Sequence, residues 1–396
     1  MVTLVGTARM RSELTFSVGV RPKGPGKKRE AKRRFGARAD ERKTMSAPLD
    51  AWNISADDFP TEGNSEEKLW CLLRYAVLAP STHNTQPWKF RVHGNSVEVY
   101  ADLARALPVV DPDNRELIMS CGAALFHLRT AIRYFGYACD VELLPETRDP
   151  ALLARVHLGF KCDTNAEDIL LFNAIPKRRT NRQAFLPDAV PDALLAVLTR
   201  VAAEEGAWLQ VVEDGDARFA TADLVAEADR IQWADKHFRN ELARWIHPNR
   251  AENRDGIPGY AQGDSALPAY AGPSVIRTFD LGKGQAAKHW DIAIYSPVLA
   301  VLGTDTDTPA DWLVAGQALD NVLLRARVED VWASFLNQPI ELAHLRPKLA
   351  DVIGRDGFPQ LLLRLGFGTE VKPTPRRPVQ EVIIRPQQHT IGLTPT

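Results

Sequence analysis

Residues 79–90 read Ala79-Pro80-Ser81-Thr82-His83-Asn84-Thr85-Gln86-Pro87-Trp88-Lys89-Phe90, a run that closes one periodic segment and opens another. Upstream, Ser65-Glu66-Glu67-Lys68 is a capped helix start, and Leu69, Leu72, Leu73, Ala76 and Val77 recur at helical spacing until Pro80 ends the helix. Downstream, residues 89–100 (KFRVHGNSVEVY) alternate apolar and polar around Gly94-Asn95, the pattern of a hairpin. Between helix and strand lie small, hydroxyl and amide side chains. Backbone there can approach a planar polar ligand, so the run reads as a binding loop.

Working outward, residues 114–135 form a long, largely apolar helix containing Gly122-Ala123-Ala124-Leu125, and residues 141–144 and 153–158 read as strands. The second half replays this order. Residues 191–201 are a helix, 208–213 a strand, and 311–327 a helix carrying Gly316-Gln317-Ala318-Leu319, which echoes the small-residue stretch of the first half. Residues 361–368 (LLLRLGFG) likewise echo 153–160 (LARVHLGF). A G-x-A-L match arises by chance, but agreement in the order of several elements reads as an internal duplication.

With 45% hydrophobic and 25% charged residues, the chain has the composition of an ordinary globular protein. No apolar run approaches the roughly 20 residues of a membrane span, so a soluble protein is expected. Cys71, Cys121, Cys139 and Cys162 form no C-x-x-C pair, which fits reduced thiols in a cytoplasmic protein rather than a zinc site or disulfide framework. The net charge of −1 hides an asymmetry, because residues 1–44 hold 13 Lys/Arg against 4 Asp/Glu. The stretch 21–38 lacks apolar periodicity and reads as a disordered basic arm. Either it is a nucleic-acid or targeting tail, or Met45-Ser46-Ala47 is the true start and the arm is not part of the native protein. Gly24-Pro25-Gly26-Lys27 lacks the Walker spacing and carries no phosphate-binding weight.

The halves differ chemically. The second contains Arg178-Arg179-Thr180-Asn181-Arg182-Gln183-Ala184-Phe185, three guanidinium groups and a hydroxyl before a helix, without a counterpart in the first. Conversely, only residues 202–207 separate the second half's helix from its strand, so the 80–87 loop has no counterpart there. Arginines in such a cluster either bind a dianionic phosphate by charge-assisted hydrogen bonds or form a solvated helix lead-in. A further basic pair, Arg376-Arg377, follows Gly366-Phe367-Gly368.

The helix ending in APSTHNTQPWKF, the RRTNRQAF segment, the GQALDNVLL helix and LGFG followed by Arg376-Arg377-Pro378 together resemble the signature regions of the nitroreductase superfamily of FMN enzymes. Their order in one double-length chain resembles the Acg family, over about residues 50–385. The resemblance implies an α+β fold, nitroreductase-like and duplicated in one chain. Each pseudo-symmetric half would pack a central antiparallel or mixed sheet with helices around a long buried helix. It implies a first half over 50–165, a second over 166–385 and a tail at 386–396.

Family members are intertwined homodimers that bind FMN at the interface, so one chain here would imitate a dimer, keep one of two sites, and bind one FMN. By that likeness Arg178, Arg182 and Arg377, helped by Arg179 or Arg376, hold the phosphate and ribityl chain, with Thr180 in the place of the usual serine. Pro80, Ser81, Thr82, Asn84 and Gln86 face the ring from the other half, and Asn337-Gln338-Pro339-Ile340-Glu341 contributes contacts through Pro339 and Ile340. NAD(P)H is the implied electron donor and a small molecule the acceptor, with no catalytic side chain and no metal required. His83 either touches flavin or substrate or satisfies local hydrogen bonds. No nucleic acid or membrane is expected at the folded part, and the pseudo-dimeric monomer leaves further oligomerisation open.

The departure from the family lies between Trp233 and Ala287, where residues 249–284 are rich in Gly, Pro and aromatics. The segment is either a surface loop or a lid placing Tyr260, Tyr270 or Phe279 on the flavin. Two functions are implied: an FMN oxidoreductase passing hydride from NAD(P)H to a nitro, quinone or similar acceptor, or an FMN-sequestering protein with little turnover. Flavin destruction, as in a related branch of the superfamily, is a third.

Overall fold

The computed structural model describes residues 47–146, 148–249, 252–263 and 272–385. The basic arm, Met45-Ser46, Tyr270 and the 386–396 tail lie outside the described residues. Contacts divide the chain into two units, residues 1–45 and 46–396, and all the described residues belong to the second.

Helix α1 (Ser65–Ala76) is capped one residue earlier than the sequence suggested: the Asn64 side chain accepts from Glu67 N–H, and the Glu67 carboxylate accepts from Asn64 N–H. Strands β1 (Trp88–His93) and β2 (Ser96–Ala101) form the expected hairpin, with Gly94 at φ 58° in the turn. Helix α2 (Arg115–Tyr134), β3 (Tyr137–Leu143) and β4 (Leu152–Lys161) complete a sheet of order β1-β2-β4-β3, antiparallel throughout. Trp88 and Phe90 are fully buried, so the strand following the 79–87 loop is anchored in the core.

Helix α3 (Ala166–Ala174) leads into the second half. It comprises α4 (Asp192–Glu204), β5 (Trp208–Val211), α5 (Gly215–Ala234), α6 (Lys236–Trp245), the short β6 (Ile246–His247) and β7 (Ile257–Pro258), α7 (Gly272–Thr278) and α8 (Gly282–Tyr295). Beyond these lie β8 (Val298–Thr304), α9 (Pro309–Val328), β9 (Trp332–Phe335), α10 (Gln338–Glu341), α11 (Arg346–Ile353), β10 (Phe358–Gly366) and α12 (Val379–Val382). The second sheet has the order β5-β8-β10-β9, again antiparallel. Strand for strand this is the arrangement of the first sheet, with α9 in the place of α2. The fold is α+β and duplicated.

The echoed small residues mark where the two long helices meet. A Cβ on Gly122 would overlap the Leu313 carbonyl, and one on Gly316 would overlap the Met119 carbonyl. Leu313 precedes Gly316 by three residues, and Met119 precedes Gly122 by three. The crossing is therefore related to itself by an approximate two-fold, and only glycine permits that approach.

The halves diverge in one connection. Two residues join β1 to β2, whereas α5 through α8 join β5 to β8. The insertion thus begins near Gly215, well before residue 249, and is mostly helical. No helix among the described residues is long and apolar enough to cross a membrane.

Candidate cofactor and substrate cavity

The 79–87 loop is held in backbone conformations that side chains usually avoid. His83, Asn84 and Gln86 have φ of 52°, 56° and 51°, in the left-handed region that a non-glycine residue occupies only when its surroundings impose it. Asn84 Nδ2 donates to the Gly256 and Pro375 carbonyls at 2.9 and 3.0 Å, and its Oδ1 accepts from Arg376 at 2.8 Å. Gln86 Nε2 donates to the Arg254 carbonyl at 2.8 Å, while Gln86 Oε1 accepts from Arg377 N–H at 2.7 Å. The Ser81 hydroxyl accepts from Gln86 N–H at 2.9 Å, closing the loop on itself. Two amides thus tie loop, insertion and C-terminal segment together.

Beside the loop is a cavity of about 280 Å³ reached from both halves. One end is cationic. Arg182 and Arg376 line it, and Arg178 lies behind, sharing the Leu78 carbonyl with Arg376 at 3.2 and 3.3 Å. Arg178 and Arg376 are each 3% exposed. Arg182 donates to the Ala261 carbonyl at 3.0 Å. None of the three has a carboxylate within ion-pair distance among the described residues, and Nε of both Arg178 and Arg376 has no hydrogen-bond partner there. Burial pushes Arg182 down to about 10, and Arg178 likewise to about 10 despite Asp320 nearby; burial and then Arg178 hold Arg376 well below the ordinary guanidinium range. His83, beside Arg182, is held near 4 by burial and then by that guanidinium, so it is neutral at pH 7; its Nδ1 is unpartnered. A buried cationic end with no carboxylate in ion-pair contact among the described residues is costly unless an anion completes it.

The far end is acidic. Glu116, 1% exposed, accepts from the Thr82 hydroxyl at 2.7 Å, and Glu341 accepts from Gln232 Nε2 at 2.5 Å. Burial raises both carboxyls, Glu341 to about 8, with Glu116 adding to the rise at Glu341. Asp229 and His289 stand beside them, 2.7 Å apart, with Gln338 in contact with both. Trp233, Phe238, Leu242 and Ile257, all from the insertion, supply an apolar wall.

Of the residues singled out from sequence, Pro80, Ser81, Thr82, His83, Asn84, Thr180, Arg182 and Arg376 meet at this cavity. The others fall outside its wall. Arg179 pairs with Glu370 at 2.7 Å. Arg377 donates to the Gln86 and Glu381 carbonyls at 3.2 and 2.9 Å, and Gln86 braces the loop from behind. Pro339 and Ile340 are buried in the second half's core, while Asn337, Gln338 and Glu341 from the same run face the cavity. In the insertion, Tyr260 donates its hydroxyl to the Pro373 carbonyl at 2.8 Å and Phe279 is exposed; neither lines the cavity. Sequence reasoning missed Asp229, Gln232, Trp233, Phe238 and His289, which carry no motif of their own.

The pseudo-two-fold generates a second location. Ser120 and Ala123 line the first cavity, and their counterparts Val314 and Gln317 line a groove on the opposite side. Its cations are already neutralised, Arg129 by Glu205 at 2.6 Å and Arg133 by Asp168 at 3.0 Å, and Gln317 stands where the first site has an alanine.

No protein-family model matches the chain. It is 33% identical over 355 residues, 87% of this chain and 98% of the relative, to a Mycobacterium tuberculosis protein provisionally named NAD(P)H nitroreductase Rv3131. It is 29% identical over 329 residues, 80% of this chain and 96% of the relative, to the M. tuberculosis protein provisionally named NAD(P)H nitroreductase acg. Among solved structures, the FMN-dependent nitroreductase NfnB of Mycobacterium smegmatis in complex with NADPH aligns at 16% identity and a TM-score of 0.35. That alignment covers 55% of this chain and 99% of NfnB.

Proposed function

The chain belongs to the NAD(P)H nitroreductase family, and we propose that its cationic-ended cavity holds one FMN and serves hydride transfer from NAD(P)H to a nitro, quinone or similar acceptor. The observation that carries the reading is the gathering of Arg178, Arg182 and Arg376 at one end of the cavity without a carboxylate partner among the described residues. An FMN phosphate is a dianion, and guanidinium forks match it in charge and geometry. Bound FMN would supply the two-electron hydride chemistry.

The remaining work belongs to the chain. Arg182 and Arg376 bind the phosphate, and Arg178 adds positive potential from behind. Pro80, Ser81 and Thr82 offer a narrow polar wall to a planar ring, and neutral His83 lines the cavity without adding a charge. Trp233, Phe238, Leu242 and Ile257 exclude water from the ring's far side. The four cysteines are free thiols.

A specific observation also favours the second function, FMN sequestration. Asn84 and Gln86 fasten the loop to Gly256 and Arg254, and Arg182 fastens to Ala261, so the insertion is tied across the site. Anaerobic mixing of the FMN-loaded protein with NADPH separates the two. Bleaching of the flavin band within seconds supports the reductase; an unchanged band over many minutes would leave sequestration standing and sink the reductase.

A further inference from the structure

We propose that Asp229 and His289, both contributed by the insertion, form a proton-donating dyad for the acceptor half of the reaction. The dyad rests on the FMN reading and serves the acceptor rather than the cofactor.

The geometry is that of an oriented imidazole. Asp229 on α5 is 1% exposed, and its Oδ2 accepts from His289 Nδ1–H on α8 at 2.7 Å. Gln338 Nε2 lies 3.4 Å from Asp229 Oδ1 and 3.1 Å from His289 Nδ1, packing against both members of the pair. With Nδ1 committed, Nε2 is the free nitrogen of a ring that lines the cavity, and it has no hydrogen-bond partner among the described residues. An Asp on Nδ1 fixes the orientation of the ring and leaves Nε2 for proton exchange with a ligand. The first half has a two-residue turn where the insertion stands, so nothing related by the pseudo-two-fold supplies this pair.

Two-electron reduction of a quinone or nitro oxygen needs a hydride and a proton. Bound FMN in its reduced form, the reductant by class, would supply the hydride. The proton comes from His289: its Nε2–H bond breaks as the acceptor O–H bond forms, and the imidazole left behind is reprotonated from solvent. Glu116 and Glu341 share the cavity with His289, while Arg182, Arg376 and neutral His83 lie at the other end.

The test separates proton-coupled from electron-only acceptors. FMN-loaded protein is reduced with dithionite and reoxidised by menadione, which takes up protons, or by ferricyanide, which takes one electron and none. His289→Asn and Asp229→Asn should slow menadione reoxidation by on the order of 10²-fold, the usual scale of general-acid catalysis, with ferricyanide reoxidation within about twofold of wild type. Independently of turnover, diethyl pyrocarbonate should acylate His289 in the FMN-free protein, mapped by mass spectrometry, and loading with FMN and menadione should protect it. Unchanged menadione kinetics, equal slowing of both acceptors, or no acylation of His289 would each overturn the dyad. Failure to take up FMN at all would instead overturn the cofactor reading, while the acylation result would still report on His289.

Discussion

Replacing Arg182 with Met should push two measurements in opposite directions. Methionine keeps an apolar stem and removes the guanidinium, so packing is largely spared. Among the described residues the Arg182 side chain donates one hydrogen bond, to the Ala261 carbonyl, and burial holds it near 10. The gap from the ordinary guanidinium value converts, at about 1.4 kcal/mol per pH unit, to roughly 3 kcal/mol against the charged folded form. Both folded and unfolded chains are protonated at pH 7, so the whole penalty is present there and fades only above about pH 10. Losing the Ala261 hydrogen bond returns about 1 kcal/mol. The FMN-free variant is thus expected to be more stable than wild type by roughly 2 kcal/mol, read as a higher urea midpoint. The same substitution should weaken FMN binding by about 1.5 to 3 kcal/mol, the scale of a charged hydrogen bond, or roughly 10- to 150-fold, read by flavin fluorescence titration. Wild-type FMN affinity would refute the phosphate assignment, and a destabilised FMN-free variant would refute the argument that the arginine is uncompensated.

Gly316→Ala should lower the unfolding midpoint sharply, by a few kcal/mol on the scale of overpacked cores, because its Cβ would overlap the Met119 carbonyl; wild-type stability would contradict the helix crossing. Glu341 keeps its proton in the folded chain up to about pH 8, while the unfolded chain releases it in the usual carboxylate range. The folded state therefore binds more protons across that window, stability falls as pH rises through it, and Glu341→Gln should flatten the fall in urea midpoints between about pH 5 and 8; an unchanged slope would count against the buried carboxyl. Asn84→Ala removes three hydrogen bonds and leaves a β-carbon at φ 56°. It should weaken FMN binding at least tenfold and speed proteolysis near residue 256, whereas intact affinity would show that the loop does not need its clamp.

The duplication was legible because several elements recur in the same order; the G-x-A-L echo, which alone arises by chance, records the point where two helix backbones touch and only glycine serves. The loop and the arginine cluster were legible for a related reason, since hydroxyls, amides and guanidiniums gathered between structured elements have few uses other than contact. Finer placement was not legible. Pattern cannot tell that Gln86 braces the loop from behind while Asn84 stands at the cavity edge, because both lie within a loop whose left-handed turns arise at His83, Asn84 and Gln86 without a glycine. Nor can it separate Arg182, without a carboxylate partner, from Arg179, which finds Glu370 nearly two hundred residues away. Asp229 and His289 lie on different helices sixty residues apart and look like ordinary surface residues until the insertion folds. The same holds for Trp233 and Phe238, which precede the Gly- and Pro-rich stretch that drew attention to the insertion.

The central claim is one phosphate-holding flavin site per chain, and titrating the FMN-free protein with FMN and with riboflavin tests it most directly. The account predicts one FMN per chain, because the counterpart groove has its cations neutralised by Glu205 and Asp168. It also predicts riboflavin binding weaker by at least about tenfold, since riboflavin lacks the phosphate that Arg182 and Arg376 would hold. Two FMN per chain, none, or equal affinity for riboflavin would contradict it.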